Sequence, residues 1–146
     1  MKVKVLQRSR ITRYEGSFPS LSAFLLCPNP SLSDSETAEI RADGALTRLG
    51  DDVSLTYKER ESGVRVSVEK RGDTLTVARG GGTLSFTRGA RTAFEYRTSY
   101  GTLPTEAYTE DITLQEKDNS CLLTLVYTAV FGGMAQKNEM RFKITF

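Results

Sequence analysis

Alternation constrains this chain more than any other feature of it. From about Val53 to Phe146, apolar residues fall on every second position: Val53-Leu55-Tyr57, Val64-Val66-Val68, Leu75-Val77, Leu84-Phe86, Phe94-Tyr96 and Met140-Phe142-Ile144-Phe146. The positions between them are polar, as in Ser54-Thr56-Lys58 and Arg141-Lys143-Thr145. A period of two gives a strand one buried and one wet face, the pattern of an antiparallel sheet covered on one side.

Strands are predicted at about 2–11, 36–42, 45–49, 52–60, 63–71, 74–80, 83–88, 93–99, 103–116, 120–131 and 136–146. Between them lie Asp43-Gly44, Gly50-Asp51-Asp52, Ser62-Gly63, Arg71-Gly72-Asp73, Gly80-Gly81-Gly82, Arg88-Gly89 and Lys117-Asp118-Asn119. Gly, Asn and Asp supply the positive φ that tight hairpins need. Such short connections seat each strand beside its sequence neighbour, so the expectation is an all-β, up-and-down antiparallel meander. A meander of about ten strands exposes two edges unless it closes. The prediction is therefore a closed barrel with Val3 and Val5 of the first strand beside Met140–Phe146 of the last, and no open edge.

Two segments break the rhythm. Residues 12–34 hold the apolar stretch Phe18-Pro19-Ser20-Leu21-Ser22-Ala23-Phe24-Leu25-Leu26-Cys27. Ser20 is placed to cap a short helix through Leu26, which Pro28 and Pro30 stop. Too long and too apolar for a simple turn, this insertion reads either as a lid or plug over a barrel mouth or as a flap over an exposed apolar face. The second break is Cys121–Phe131, apolar on both faces, with Leu123, Leu125, Tyr127 and Phe131 pointing one way and Leu122, Val126 and Val130 the other. Such a strand must be covered on both sides, by the insertion or by a second subunit, which makes a homodimer one expected partner state.

The chain reads as a single domain spanning residues 1–146, long enough to bury a core without disulfides. With 38% hydrophobic and 26% charged residues it fits a soluble globular protein. A net charge of +2, spread over solvent-facing strand positions, argues against a nucleic-acid partner. No long apolar run follows the basic N-terminus and none reaches spanning length, so neither a secretory signal nor a membrane partner is expected, and the expected address is cytoplasmic. Cys27 and Cys121 fit no metal or redox spacing and read as two small buried thiols.

Polar residues in the phase of the core mark the candidate site. Val53-Leu55-Tyr57 continues to Glu59, Leu75-Val77 to Arg79, Leu84-Phe86 to Arg88, and Phe94-Tyr96 to Thr98. A carboxylate and a guanidinium inside a barrel are costly unless paired. Glu59 is therefore expected against Arg79, with the hydroxyls of Tyr57, Tyr96 or Tyr127 completing the hydrogen bonding. Either this pair sits near the rim and fixes strand register, or it is a polar handle inside an apolar cup that orients a ligand's carboxylate or amide. The candidate ligand-binding residues are Tyr57, Glu59, Arg79, Phe86, Arg88, Tyr96, Thr98 and Tyr127.

Enzymatic chemistry finds little support. The chain has no histidine, hence no Ser-His triad, Cys-His dyad or imidazole-bound metal. It shows no nucleophile elbow, phosphate loop or zinc spacing, and no catalytic residue, metal or cofactor is expected. A carboxylate base at Glu59 would be one residue without an active site around it.

Tyr57-Lys58-Glu59, Arg79-Gly80, Phe86 with Gly89, Tyr96-Arg97-Thr98-Ser99-Tyr100-Gly101-Thr102-Leu103, and Tyr127 together resemble the YwiB-like family of small bacterial proteins, with Tyr96 to Gly101 the most specific part. The resemblance covers nearly the whole chain and implies a calycin or lipocalin-like barrel of unknown function. Barrels of that class often hold apolar ligands, which is analogy at the level of fold. Two functions are expected: a non-catalytic barrel binding a small, partly apolar or amphipathic ligand, or an interaction module with a filled interior acting through its outer surface or a dimer face.

Overall fold

The structure is a computed structural model that describes the backbone of all 146 residues and every side chain except those of Tyr96, Arg97 and Thr98. The alternating runs form β1 (Lys2–Tyr14), β2 (Leu32–Leu49), β3 (Asp52–Lys58), β4 (Arg65–Arg71), β5 (Thr74–Arg79), β6 (Gly82–Thr87), β7 (Arg91–Thr98), β8 (Gly101–Lys117), β9 (Ser120–Phe131) and β10 (Met134–Thr145), with a helix α1 (Leu21–Leu25) after β1. The described residues make one antiparallel sheet in the order β6-β5-β4-β3-β2-β1-β10-β9-β8-β7.

First and last strands pair as expected, from Lys4 opposite Thr145 to Arg13 opposite Gln136. The barrel nevertheless keeps one unsealed seam, where β6 and β7 end the sheet order with no ladder between them. This corrects the expectation of a barrel without edges. The lower end of the seam is tied by backbone hydrogen bonds from Gly89 N to Thr109 O (2.8 Å) and from Thr109 N to Ala90 O (3.2 Å). After the turn the chain thus commits to β8 rather than to β6. Phe86 and Phe94 then close the interior between the two strands, with rings edge to face and centroids 6.0 Å apart.

β2 also differs from expectation. Asp43-Gly44 is no turn, because β2 runs through it while pairing with β1 on one side and β3 on the other. A Cβ on Gly44 would lie 2.7 Å from the Thr56 carbonyl oxygen, so glycine here serves close backbone approach. True two-residue hairpins stand at Gly80-Gly81 and Gly132-Gly133, where both residues have positive φ, the geometry that matches strand twist.

The insertion is a flap. Ser20 Oγ accepts from Ala23 N at 3.1 Å and caps α1. Leu21 and Phe24 are buried with Val130 and Ala135 against Tyr14, Phe18 and Tyr108. Val130 has the phase opposite to core residues Leu123 and Leu125, and Ala135 that opposite to Phe142, so the insertion covers the outer face of the barrel. A lid or plug over a mouth is not what this segment forms. Cys121 is buried as expected, whereas Cys27 is only half-buried; both are free thiols. No helix among the described residues is long and apolar enough to cross a membrane.

Candidate functional site

Following each inward series along its strand shows where the barrel opens. Leu75 has no exposed surface, Val77 is half-buried, and the Arg79 side chain is 58% exposed. The same gradient runs from Phe86 to Leu84 on β6, from Leu125 to Tyr127 on β9, and from Phe142 to Met140 on β10. On β1 it runs from Val5 to Gln7, Ser9 and Ile11, and on β2 from Ala42 to Ile40 and Ala38. These series lose burial toward the same end, but β9 and β10 are buried again at Ala129 and Asn138, and Thr105, Ala107 and Thr109 of β8 are buried there too. One end of the interior is filled by Val53, Leu55, Leu75, Leu123 and Ile144, while half-buried Val77, Leu84, Phe94, Tyr127 and Met140 pack on this core toward the other end, here termed the cup.

The polar handle stands at the rim of that cup. Arg79 Nε donates to Glu59 Oε1 at 2.8 Å and Arg79 Nη2 to Glu59 Oε2 at 3.0 Å, a bidentate pair. Ser62 Oγ donates to Glu59 Oε2 at 2.9 Å, so a serine of the β3–β4 loop supplies the hydroxyl that was expected from a tyrosine. The loop holds it there through Glu59 N to Val64 O and Gly63 N to Glu59 O, both 2.9 Å. The hydrogen bonds from Arg79, helped by Ser62, hold the Glu59 carboxyl below its ordinary value despite its burial.

Tyr57 is buried and its hydroxyl hydrogen-bonds to Gln7 Oε1 on β1. Burial, and then the Glu59 charge, push its phenol well above the ordinary value, so it stays a donor at neutral pH. Phe86 stacks on Tyr127 with centroids 4.5 Å apart, and these rings form the floor of the cup. The structure thus pairs Glu59 with Arg79, bonds Tyr57 to Gln7 and sets Phe86 against Tyr127. Arg88 does not join them. β6 ends at Thr87, and Arg88 turns outward to Asp73, at 3.0 Å, so its expected place in the interior is corrected. The side chains of Tyr96 and Thr98 lie outside the described residues.

Several inward polar residues escaped the sequence reading. Gln7 and Ser9 continue Val3-Val5, and Asn138 and Gln136 continue Phe142-Met140, so the same phase rule identifies all four. Asn138 stands opposite Tyr127, which in turn stands opposite Thr109. Asn138 Nδ2 and the Thr109 hydroxyl are buried without a hydrogen-bond partner among the described residues. At the closed end, Lys70 continues Val66-Val68 and donates to Asp51 O at 3.0 Å, and Arg48 continues Leu46 and pairs with Glu116. Among the described residues, no group of three or more His, Cys, Asp or Glu is placed to hold a metal ion.

Fold and site together define a small up-and-down β-barrel with one unsealed seam, its core densest at one end and a carboxylate–guanidinium pair at the other. The chain belongs to the family described as a domain of unknown function (DUF1934), whose model matches residues 31–142. It is similar over 97% of its own length, and 92% of the other chain, to the crystal structure of the ywiB protein from Bacillus subtilis, with a TM-score of 0.63 and 18% sequence identity. At that identity the likeness speaks for the fold. No curated protein matches the chain.

Proposed function

We propose that this protein is a non-catalytic binding module that takes a small, partly apolar ligand into the cup at the open end of its barrel. The observation that carries this reading is the common gradient of burial. On β1, β2, β5 and β6 the inward series loses burial toward one end, with half-buried Val77 and Leu84 there, and a carboxylate–guanidinium pair stands at the same end. The apolar body of the ligand would rest on Phe86, Phe94 and Tyr127, and its carboxylate or amide end would face Arg79, which Glu59 holds in orientation. Buried Asn138 Nδ2 and Thr109 Oγ1 add polar groups that a slightly opened cup would present to such an end. Among the described residues the cup holds one carboxylate, Glu59, and the chain has no histidine, which supports the non-catalytic reading.

Titration with octanamide, followed by amide chemical shifts, tests this. Shifts confined to Val77, Leu84, Phe94, Tyr127 and Met140, weakened in Phe94→Ala, are expected. Shifts on the outer strand faces, or none at millimolar octanamide, would remove the reading.

The outer-surface alternative keeps one specific support. Leu25, Leu26 and Leu32 remain exposed around the insertion after Leu21 and Phe24 are buried, Leu26 at 83%. They would serve a symmetric dimer. Sedimentation of the wild type and of Leu26→Asp distinguishes the two, since only a dimer built on this patch dissociates in the variant.

A further inference from the structure

A recess of about 240 Å³ lies on the outer face of the barrel, across β8, β9, β10 and β1, away from the cup. Its lining includes Leu6, Leu122, Arg8, Arg141, Lys143 and Lys117, and no carboxylate belongs to it. The strand register explains how these residues meet. Leu6 stands opposite Lys143 and Lys143 opposite Leu122, so the lysine stem crosses between two half-buried leucines. One pair further along, Arg8 stands directly opposite Arg141.

Two like charges facing each other across antiparallel strands repel, an arrangement that costs stability unless something negative lies between them. Arg8 is partly answered by Glu39, on the side of β2, through Nε to Oε1 at 3.0 Å. Arg141, Lys143 and Lys117 have no ion-pair partner among the described residues. Over the whole chain the charges nearly cancel, with 20 basic and 18 acidic residues. Four cations around one recess with no acid in its lining are therefore a local concentration rather than a reflection of composition.

We propose that this recess binds a small amphipathic anion: a phosphate or carboxylate group held between Arg8, Arg141 and Lys143, with an aryl or short alkyl group against Leu6 and Leu122. The guanidinium of Arg141 can meet a phosphate or carboxylate with two parallel hydrogen bonds, while Lys143 and Lys117 act as point charges. The two leucines give the ligand's apolar part a surface beside the charges. The volume suits a group of roughly ten heavy atoms, below the size of a usual drug-like pocket.

Phenyl phosphate is the probe, with inorganic phosphate and benzyl alcohol as its charged and apolar halves. Calorimetric titration at low salt should show phenyl phosphate binding at least tenfold more tightly than either half. Arg141→Gln/Lys143→Gln should weaken it at least tenfold, while the charge-matched double variant Arg71→Gln/Arg88→Gln leaves it unchanged. Leu122→Ser should weaken phenyl phosphate several-fold and leave inorganic phosphate unaffected. All these positions lie on the outer face, and unchanged thermal midpoints show that the variants fold. Equal loss in both double variants would mean that only net charge matters and would overturn the proposal. So would tight binding of a twenty-residue oligothymidylate that Leu122→Ser does not affect, which would make the face a polyanion surface.

Discussion

Glu59 and Arg79 show what a single residue position can disclose. Each is identified by phase alone, as a charged side chain where the strand pattern calls for an apolar one. The pair is asymmetric, with Glu59 only 6% exposed and the Arg79 side chain 58% exposed. Water screens the outer partner, so a double-mutant cycle on Glu59→Gln and Arg79→Met should give a coupling of about 1 kcal/mol rather than the about 3–5 kcal/mol of a fully buried pair. Arg79→Met should be the costlier single change, because it leaves a buried carboxylate with only Ser62 as side-chain donor. The lowered carboxyl value of Glu59 fixes the sign of the pH effect. Its contribution is complete above the range of an unfolded glutamate and is lost as pH falls through the folded value. Chemical denaturation between about pH 5 and 3 should show stability falling with acid, and Glu59→Gln should flatten that limb. Arg88 obeys the same phase on paper and fails because β6 stops one residue earlier. Phase holds only while the strand lasts, and strand ends are where sequence says least. Ser62 was out of reach for a related reason: a loop residue has no phase.

At the scale of elements, most strand positions follow from alternation and turn residues, and the exceptions have identifiable causes. Asp43-Gly44 has the composition of a hairpin turn. Yet Asp43 is bonded to Lys4 and Arg60 on the outer face, and the ladders with β1 and β3 continue past it. Long-range pairing overrides the local preference, and what the glycine provides is room. Gly44→Ala would drive a methyl against the Thr56 carbonyl, Tyr57 Cβ and Val5 Cγ2, and should cost about 1–3 kcal/mol in denaturant unfolding. The helix behaves differently. Its capping serine and its proline stop are both readable, but the face on which it docks is not, because apolar residues on a short helix suit a lid and a flap equally. The opposite phase of Val130 on β9 was the available clue to the outer docking. Ser20→Ala should remove a cap bond worth about 1 kcal/mol. Because α1 lies outside the barrel, the effect should be local, with faster proteolysis within residues 16–31 and little change in the global unfolding midpoint.

For the whole molecule, the closure of the sheet at β1 and β10 and its failure at β6 and β7 are one problem with two outcomes. β1 and β10 each run for at least twelve residues, so a ladder ten pairs long can form between chain termini. β5 and β6 have only six residues each, and the chain leaving β6 is immediately bonded to Thr109 of β8. Strand length was visible in the spacing of the glycine turns, but which neighbour would win the β6–β7 turn was not. The seam therefore depends on side chains where the rest of the barrel uses its backbone, and Phe86 and Phe94 carry that task beside the cup. Hydrogen exchange under native conditions should reflect this. Every second amide of β6 points into the seam without a ladder partner and should exchange far faster than the amides joining β1 to β10, which should require global unfolding. Phe94→Ala removes a half-buried ring from the seam and should cost about 1–3 kcal/mol, less than a fully buried phenylalanine. The same substitution should raise exchange in β5 and β6 before it affects the β1–β10 ladder. Uniform acceleration across all strands would instead mean that the barrel opens as one unit, and that the seam is no weaker than the rest of the wall.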